Sequence, residues 1–228
     1  MTTISVLINA RTKSSRLPRK LVLPFAGSTL IDVALEKLDR MDFFSHRYFA
    51  VAEDELRQKA VAYRNIEILD RDPAAVQPGY NDHRKVFAHY ERVKSDYIMW
   101  LNPCHPLISL DTIRRAVDHV LATGLNSYTS VIPTTDWIFD SDGNAVTNTQ
   151  AGMLSTAHSR TFFKVAHAFH VIRKAFFLKD YQYWTLTKND PALIEIPVEE
   201  SYDVNDAIEF EVAQAAYARS LSSHGEKQ

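Results

Sequence analysis

The chain has 228 residues, 46% hydrophobic and 24% charged, an ordinary globular composition. That length suits one well-packed domain spanning residues 1–228 and excludes two full-sized ones. With 26 basic and 28 acidic side chains the formal net charge is -2, so no global field argues for nucleic acid or a membrane surface as partner.

Short apolar runs alternate with amphipathic stretches, the pattern of βα units around a largely parallel sheet. Ile4-Ser-Val-Leu-Ile-Asn9 reads as the first strand, and residues 29–41 as a helix through Leu30, Val33, Ala34, Leu35 and Leu38. A strand at 47–52, a helix at 53–63, a strand at 66–69 and a helix at 82–93 follow. Asp96-Tyr-Ile-Met-Trp-Leu-Asn102 is almost continuously apolar, as in a strand buried on both faces. Ser109 or Asp111 caps a helix ending near Thr123 at Gly124, and residues 127–132 give the next strand.

From Pro133 to Arg160 the chain is turn-rich, with Asp140-Ser-Asp-Gly143 as a hairpin tip, so it reads as an excursion from the core. Residues 164–172 are extended, 175–181 a short helix and 192–198 a strand. Strict alternation along 164–172 places His170 with Ala168 on one face and His167 with Phe169 on the other. Cys104 is the only cysteine, which excludes an intrachain disulfide and a thiolate metal cluster. Met1-Thr-Thr-Ile4 has no basic and apolar leader and no run is long enough to cross a bilayer, so a cytoplasmic setting is expected.

The loop from Ala10 to Gly27 holds five bases, Arg11, Lys13, Arg16, Arg19 and Lys20, and no acid. It follows an apolar strand and precedes a helix, where α/β proteins place anions. Pro18 and Pro24, with Leu17, Leu21, Val22, Leu23 and Phe25 between the charges, suit a packed anion-binding loop better than a solvated surface loop.

The spacing Ala10-Arg-x-x-Ser14-x-Arg16-Leu-Pro-x-Lys20, then Leu23-Pro-x-x-Gly27-x-x-Leu-Ile31, resembles the opening of the cytidylyltransferases that make CMP-activated sugar acids, among them the acylneuraminate (CMP-sialic acid) and CMP-Kdo synthetases. The resemblance implies a Rossmann-like nucleotidyltransferase fold, a three-layer α/β/α arrangement on a mostly parallel sheet. A small dimerisation and substrate-pocket excursion would lie at 133–170. It also implies that Ala10, Arg11, Ser14, Arg16 and Lys20 contact CTP, and that the enzyme works as a homodimer. Lys13 stands where the family has Gly, and Leu21 where it has Asn.

Four further landmarks follow in family order. Leu101-Asn-Pro-Cys-His-Pro-Leu107 resembles a segment of the sialic-acid branch, with Asn102 for its Gln; the Kdo branch has a magnesium-ligating Asp where Cys104 stands. Asn102 and His105 are candidate acceptor contacts, although a satisfied structural histidine is the plainer reading of His105. Cys104 reads as a small buried residue, since the chemistry needs no covalent intermediate. Arg71, before Pro73, is a candidate nucleotide contact or else an ion pair with Asp70 or Asp72. Asp82 falls in the family's base- or ribose-reading region.

Asp203 and Asn205 align with the two Asp ligands of the family's Mg²⁺ site, the second replaced by an amide. Asp206 and Glu209 read as an N-cap and its partner three residues on. The sialic-acid branch clamps its sugar carboxylate with an Arg-Arg-Gln motif. Here Arg160 and Lys164 are the bases in that region, with His170 on the strand that lines the family's sugar pocket. The implied reaction is CMP transfer from CTP to a nonulosonic-type sugar acid, with Arg11, Lys20 and Asp203 as the catalytic set and pyrophosphate as leaving group. Two rivals keep the fold: transfer to a phosphonate or other small acid, and a relative that binds nucleotide without turnover.

Overall fold

The computed structural model describes residues 2–147, 152 and 155–225, with backbone alone at 223–225. Among them are nine strands: β1 (Ile4–Asn9), β2 (Pro24–Phe25), β3 (Ser28–Thr29), β4 (His46–Val51), β5 (Glu67–Asp70), β6 (Tyr97–Leu101), β7 (Ser127–Thr134), β8 (Phe162–Arg173) and β9 (Ala192–Glu195). The helices are α1 (Leu30–Asp39), α2 (Asp54–Ala60), α3 (His83–Val86), α4 (Leu110–Thr123), α5 (Lys174–Asp180) and α6 (Ala207–Gly225).

Seven strands form one sheet in the order β5-β4-β1-β6-β8-β7-β9, while β2 and β3 make a small hairpin. Only β8 runs against the others, pairing antiparallel with both β6 and β7. Because β1 lies between β4 and β6, the chain leaves its carboxyl end in opposite directions on the two sides. That switch point is where open α/β sheets bind ligands.

Residues of β6 alternate between two cores. Tyr97, Met99 and Leu101 face a large cluster that also takes Leu35, Leu56, Ile113 and Ala213 from α1, α2, α4 and α6. Ile98 faces a smaller one with Tyr90 and with Phe177 of α5. Helical elements thus cover both faces, the three-layer α/β/α arrangement expected. Ser109 caps α4 by accepting from the Thr112 N–H, and Gly124 ends it at φ 63°, a left-handed position that favours glycine. Asp206 accepts from Glu209 N–H at 2.9 Å while Glu209 accepts from the N–H groups of Asn205 and Asp206, a capping box that opens α6.

The structure differs from the sequence reading at two places. The helix expected over 82–93 breaks at Phe87 (φ -112°, ψ 12°) into α3 and a 3-10 turn, Ala88–Arg92. The break lets Phe87 and Tyr90 both pack on Phe177, with ring centroids 5.4 and 5.3 Å away. The second correction concerns the facing of β8. Its register against β7 slips between Thr129 and Val131, and His167 sits at φ 59°. Ala168 and Phe169 both sink into the large core, while the rings of His167 and His170 touch at 5.4 Å between centroids. A bulge, in which residues 166–169 of β8 stand opposite Ser130 alone, therefore replaces the expected alternation.

Between β7 and β8 the chain leaves the sheet. Phe139 bridges Ala145 across a turn with Gly143 at φ 85°, the hairpin tip read from the sequence. Residues 148–151 and 153–154 of the expected excursion lie outside the described residues.

Candidate active site

At the end of β1 the chain enters the basic loop, and the loop is tied down at both ends. Ala10 N–H donates to the Ala50 carbonyl, and its own carbonyl accepts from Arg71 Nη1 at 3.3 Å. The backbone N–H and hydroxyl of Thr12 both donate to Glu53 Oε1. Arg19, left-handed at φ 59°, closes the loop by donating its N–H to the Thr12 carbonyl, and the half-buried Ser14 accepts from Leu17 N–H. Leu21, where the family has Asn, is buried in the large core.

The loop's bases fan out in two directions. Arg11 donates to the Val76 carbonyl and Lys13 to Gln77. Arg16 reaches Asn205 Oδ1 at 2.6 Å and Lys20 reaches the Val204 carbonyl at 2.5 Å. The loop thereby bridges the β4–β5 side of the molecule and the segment before α6.

Each direction meets a cavity. The first, about 510 Å³, is lined by Asn9, Arg11, Arg71, Trp100, Tyr183 and Trp184, among others. Arg71 does not pair with Asp70 or Asp72: Asp70 takes Arg57 and Asp72 accepts from Ala74 N–H. Burial lowers its pKa from the ordinary guanidinium value, Arg11 adds repulsion, and its Nε is buried with no hydrogen-bond partner. Two neighbouring guanidinium groups, one with an unused donor, suit an anion. Behind them, burial and the charge of Arg71 hold His89 neutral, at about 3, so its Nε2 donates to Asn9 Oδ1; Asn9 in turn donates to Tyr90.

The second cavity, about 410 Å³, is lined by Lys164, His167, Tyr202, Asp203, Asn205 and Glu209 over an apolar floor that includes Ile132 and Val212. Asn205 Nδ2 donates to Asp203 Oδ2 at 2.9 Å and Asn102 Nδ2 to Oδ1 at 3.4 Å. Asn102 also accepts from Cys104 N–H, and Val204 N–H donates to the Cys104 carbonyl, which fastens the turn after β6 to the segment before α6.

His105 is buried with Nε2 donating to the Ala166 carbonyl, while Nδ1, without a hydrogen-bond partner, lies 3.7 Å from Asp203 Oδ1. Burial outweighs that carboxylate and lowers its pKa to about 4. Burial also pushes the Cys104 thiol up to about 11, the opposite of what a nucleophile needs.

Sequence reasoning thus named residues that the fold brings together in two groups: Ala10, Arg11 and Arg71 at the first cavity, and Arg16, Lys20, Asn102, His105, Lys164, Asp203 and Asn205 around the second. Three more are placed apart from these groupings or in the cavity opposite to that of the other acceptor candidates. His170 lines the first cavity, stacked on Trp100 at 5.2 Å. Asp82 caps α3 by accepting from Lys85 N–H, and Arg160 is an exposed residue just before β8. The aromatic wall of Trp100, Tyr183 and Trp184 was missed, although Tyr181-Gln-Tyr-Trp184 is a dense aromatic cluster in the sequence.

Guanidinium groups and lysines gather at the switch point of an α/β sheet, beside Asp203 and its amide partners, an arrangement that suits an anionic ligand. The chain belongs to the cytidylyltransferase family, whose model matches residues 5–211, and is thus a CTP-dependent nucleotidyltransferase of the EC 2.7.7 type. Among curated proteins no sequence match is found.

The structure is similar to that of CMP:2-keto-3-deoxy-manno-octonic acid synthetase complexed with CTP, with TM-score 0.68, 14% identity and 96% and 100% of the two chains covered. It is also similar to 4-diphosphocytidyl-2C-methyl-D-erythritol synthase from Anaerococcus prevotii, with TM-score 0.66, 10% identity and 94% and 97% covered. At such identities the likeness defines the fold alone. No helix among the described residues is long and apolar enough to cross a membrane.

Proposed function

We propose that the enzyme transfers CMP from CTP to a nonulosonic-type sugar acid, with the nucleoside in the first cavity, the triphosphate along the basic loop and the acceptor in the second cavity. The observation that carries this reading is the loop's double reach, from Arg11 at the first cavity to Arg16 and Lys20 beside Asp203. The aromatic wall suits a flat base, and Arg71 and Arg11 suit the phosphates nearest it. The acceptor hydroxyl oxygen bonds to the α-phosphorus, the bond to the β-phosphate oxygen breaks, and Lys20 and Arg16 meet the charge that develops on the leaving pyrophosphate.

Asp203 and Asn205 offer hard oxygen donors of the kind Mg²⁺ prefers. Among the described residues no group of three or more His, Cys, Asp or Glu could hold an ion, so the one carboxylate would share Mg²⁺ with nucleotide phosphates, as is usual for that ion. When bound, Mg²⁺ supplies Lewis-acid polarisation of phosphoryl oxygens. Before that, Arg16 has to release Asn205 Oδ1.

A phosphonate or another small acid is the second reading. Among the described residues Lys164 is the one cationic side chain lining the second cavity, whereas a sugar acid held as in the sialic-acid branch meets an Arg fork. The excursion favours a homodimer: Ile138, Phe139 and Val146 expose apolar surface that a second copy would cover. Sedimentation is expected to give a dimer; an active monomer at all concentrations would remove this part.

CTP at about 100 times its dissociation constant is expected to raise the melting temperature by about 5–10 °C, more than ATP, GTP or UTP at equal concentration. Equal shifts with all four nucleotides would sink the cytidine assignment. Pyrophosphate release with CTP, Mg²⁺ and N-acetylneuraminate, Kdo or 2-aminoethylphosphonate then identifies the acceptor class.

A further inference from the structure

The strand β8 carries a feature that neither the phosphate loop nor the metal position explains. A bulge in its middle is held by a single hydroxyl: Ser130 Oγ accepts from the N–H groups of both Ala168 and Phe169 and donates to the Phe169 carbonyl. The bulge puts His167, a residue with a Cβ, in the left-handed region at φ 59°. Bulges re-aim side chains, and an unfavourable backbone persists only where its surroundings hold it. Here the side chain re-aimed is an exposed imidazole lining the second cavity with Asp203 and Asn205.

The other side of that ring is tethered. His167 Nδ1 lies 3.3 Å from His170 Nε2, and His170 Nδ1 lies 2.8 Å from the Thr129 hydroxyl. His170 is buried, stacked on Trp100 and edge-on to Trp184, and burial lowers its pKa to about 3. A neutral imidazole has one N–H and one lone pair. A Thr hydroxyl both donates and accepts; in the tautomer in which Thr129 accepts the Nδ1–H of His170, His170 Nε2 accepts the Nδ1–H of His167 and the lone pair of His167 falls on Nε2.

We propose that His167 is the general base of the transfer: its Nε2 takes the proton from the acceptor hydroxyl as that oxygen bonds to the α-phosphorus and pyrophosphate leaves. His170 and Thr129 are positioning residues that fix its tautomer, as an oriented partner does for catalytic histidines elsewhere. This rests on the assignment of the second cavity to the acceptor.

Among the other titratable groups there, buried His105 keeps its unpartnered Nδ1 3.7 Å from Asp203, inside the protein. His105 Nε2 is bonded to the Ala166 carbonyl, Glu209 closes the start of α6, and Asp203 holds two amides. Lys164 is the cation among the described residues that line the cavity.

Two measurements test the proposal. In protein carrying ¹⁵N-labelled histidine, long-range ¹H–¹⁵N spectra report each ring's tautomer with no acceptor present. His167 is expected as the Nδ1–H form in the wild-type protein and to shift toward Nε2–H in His170→Phe; a wild-type His167 in the Nε2–H form overturns the proposal. Kinetics use whichever of N-acetylneuraminate and Kdo releases pyrophosphate; release with 2-aminoethylphosphonate alone, whose attacking oxygen carries no hydroxyl proton, overturns the base. There His167→Asn, which tolerates the left-handed backbone, is expected to lower kcat about 10²-fold and to remove the acid limb of the kcat–pH profile. The CTP-induced thermal shift should persist. Unchanged kcat, or an acid limb that stays, overturns the base. A missing CTP shift in the wild-type protein instead defeats the nucleotide assignment, whatever the state of His167.

Discussion

Lys20→Ala is expected to lower turnover by about 10²-fold or more, the cost of removing one well-placed electrostatic donor from a developing charge. The ammonium group sits where the basic loop meets the segment before α6, 2.5 Å from the carbonyl of Val204, the residue after Asp203, with Arg16 bonded to Asn205 beside it. In the proposed complex it exchanges that carbonyl for a phosphoryl oxygen. Stability should change little, because the side chain is only half-buried and Leu21 anchors this part of the loop in the core. Lys13→Ala should do less: Lys13 is exposed and bonded to the side-chain amide of half-buried Gln77. Steady-state rates and thermal melts on both variants separate the cases. A folded Lys20→Ala enzyme with normal turnover would return the loop to a surface-charge role.

Period and punctuation made the scaffold legible. The two-faced run at 97–101, the Ser109 cap with the Gly124 stop and the capping box at 206–209 each rest on local chemistry that the tertiary fold did not override. The basic loop was legible for the same reason, since five bases without an acid must face something other than the core. What stayed hidden depends on partners distant in sequence. Phe87 breaks a helix because Phe177 lies beneath it, and no window around Phe87 contains that ring. The facing of this stretch is decided by a hydroxyl at Ser130, across a strand pair, so alternation read along β8 alone put Ala168 and Phe169 on opposite faces when both enter the large core. The aromatic wall brings Trp100 of β6 together with Tyr183 and Trp184 from the chain after α5, a meeting that only the sheet order creates.

At the metal position, Asp203→Asn is expected to reduce magnesium-dependent turnover by at least about 10²-fold, because no anionic side chain would remain among the proposed oxygen donors. Asn205→Asp should act in the opposite direction. In the wild-type protein Asn205 Nδ2 donates to Asp203 Oδ2 at 2.9 Å, so the amide neutralises the carboxylate's need for a partner without adding charge. An aspartate there turns that hydrogen bond into a contact between two carboxylates, which repel unless a cation or a proton lies between them. Arg16, already 2.6 Å from Asn205 Oδ1, offsets part of the repulsion. The variant should therefore melt lower than wild type in EDTA and recover with Mg²⁺. It should also reach half-maximal activity at a lower Mg²⁺ concentration. The thermal readout needs no acceptor, so it tests the site even before the second substrate is known. Asp206→Ala is the control: its carboxylate accepts from Glu209 N–H, and losing that cap should cost about 1 kcal/mol of stability with magnesium dependence intact. If Asp206→Ala abolishes magnesium dependence and Asp203→Asn does not, the cation is held at the mouth of α6 and the paired amides at Asp203 serve only to fasten the turn after β6.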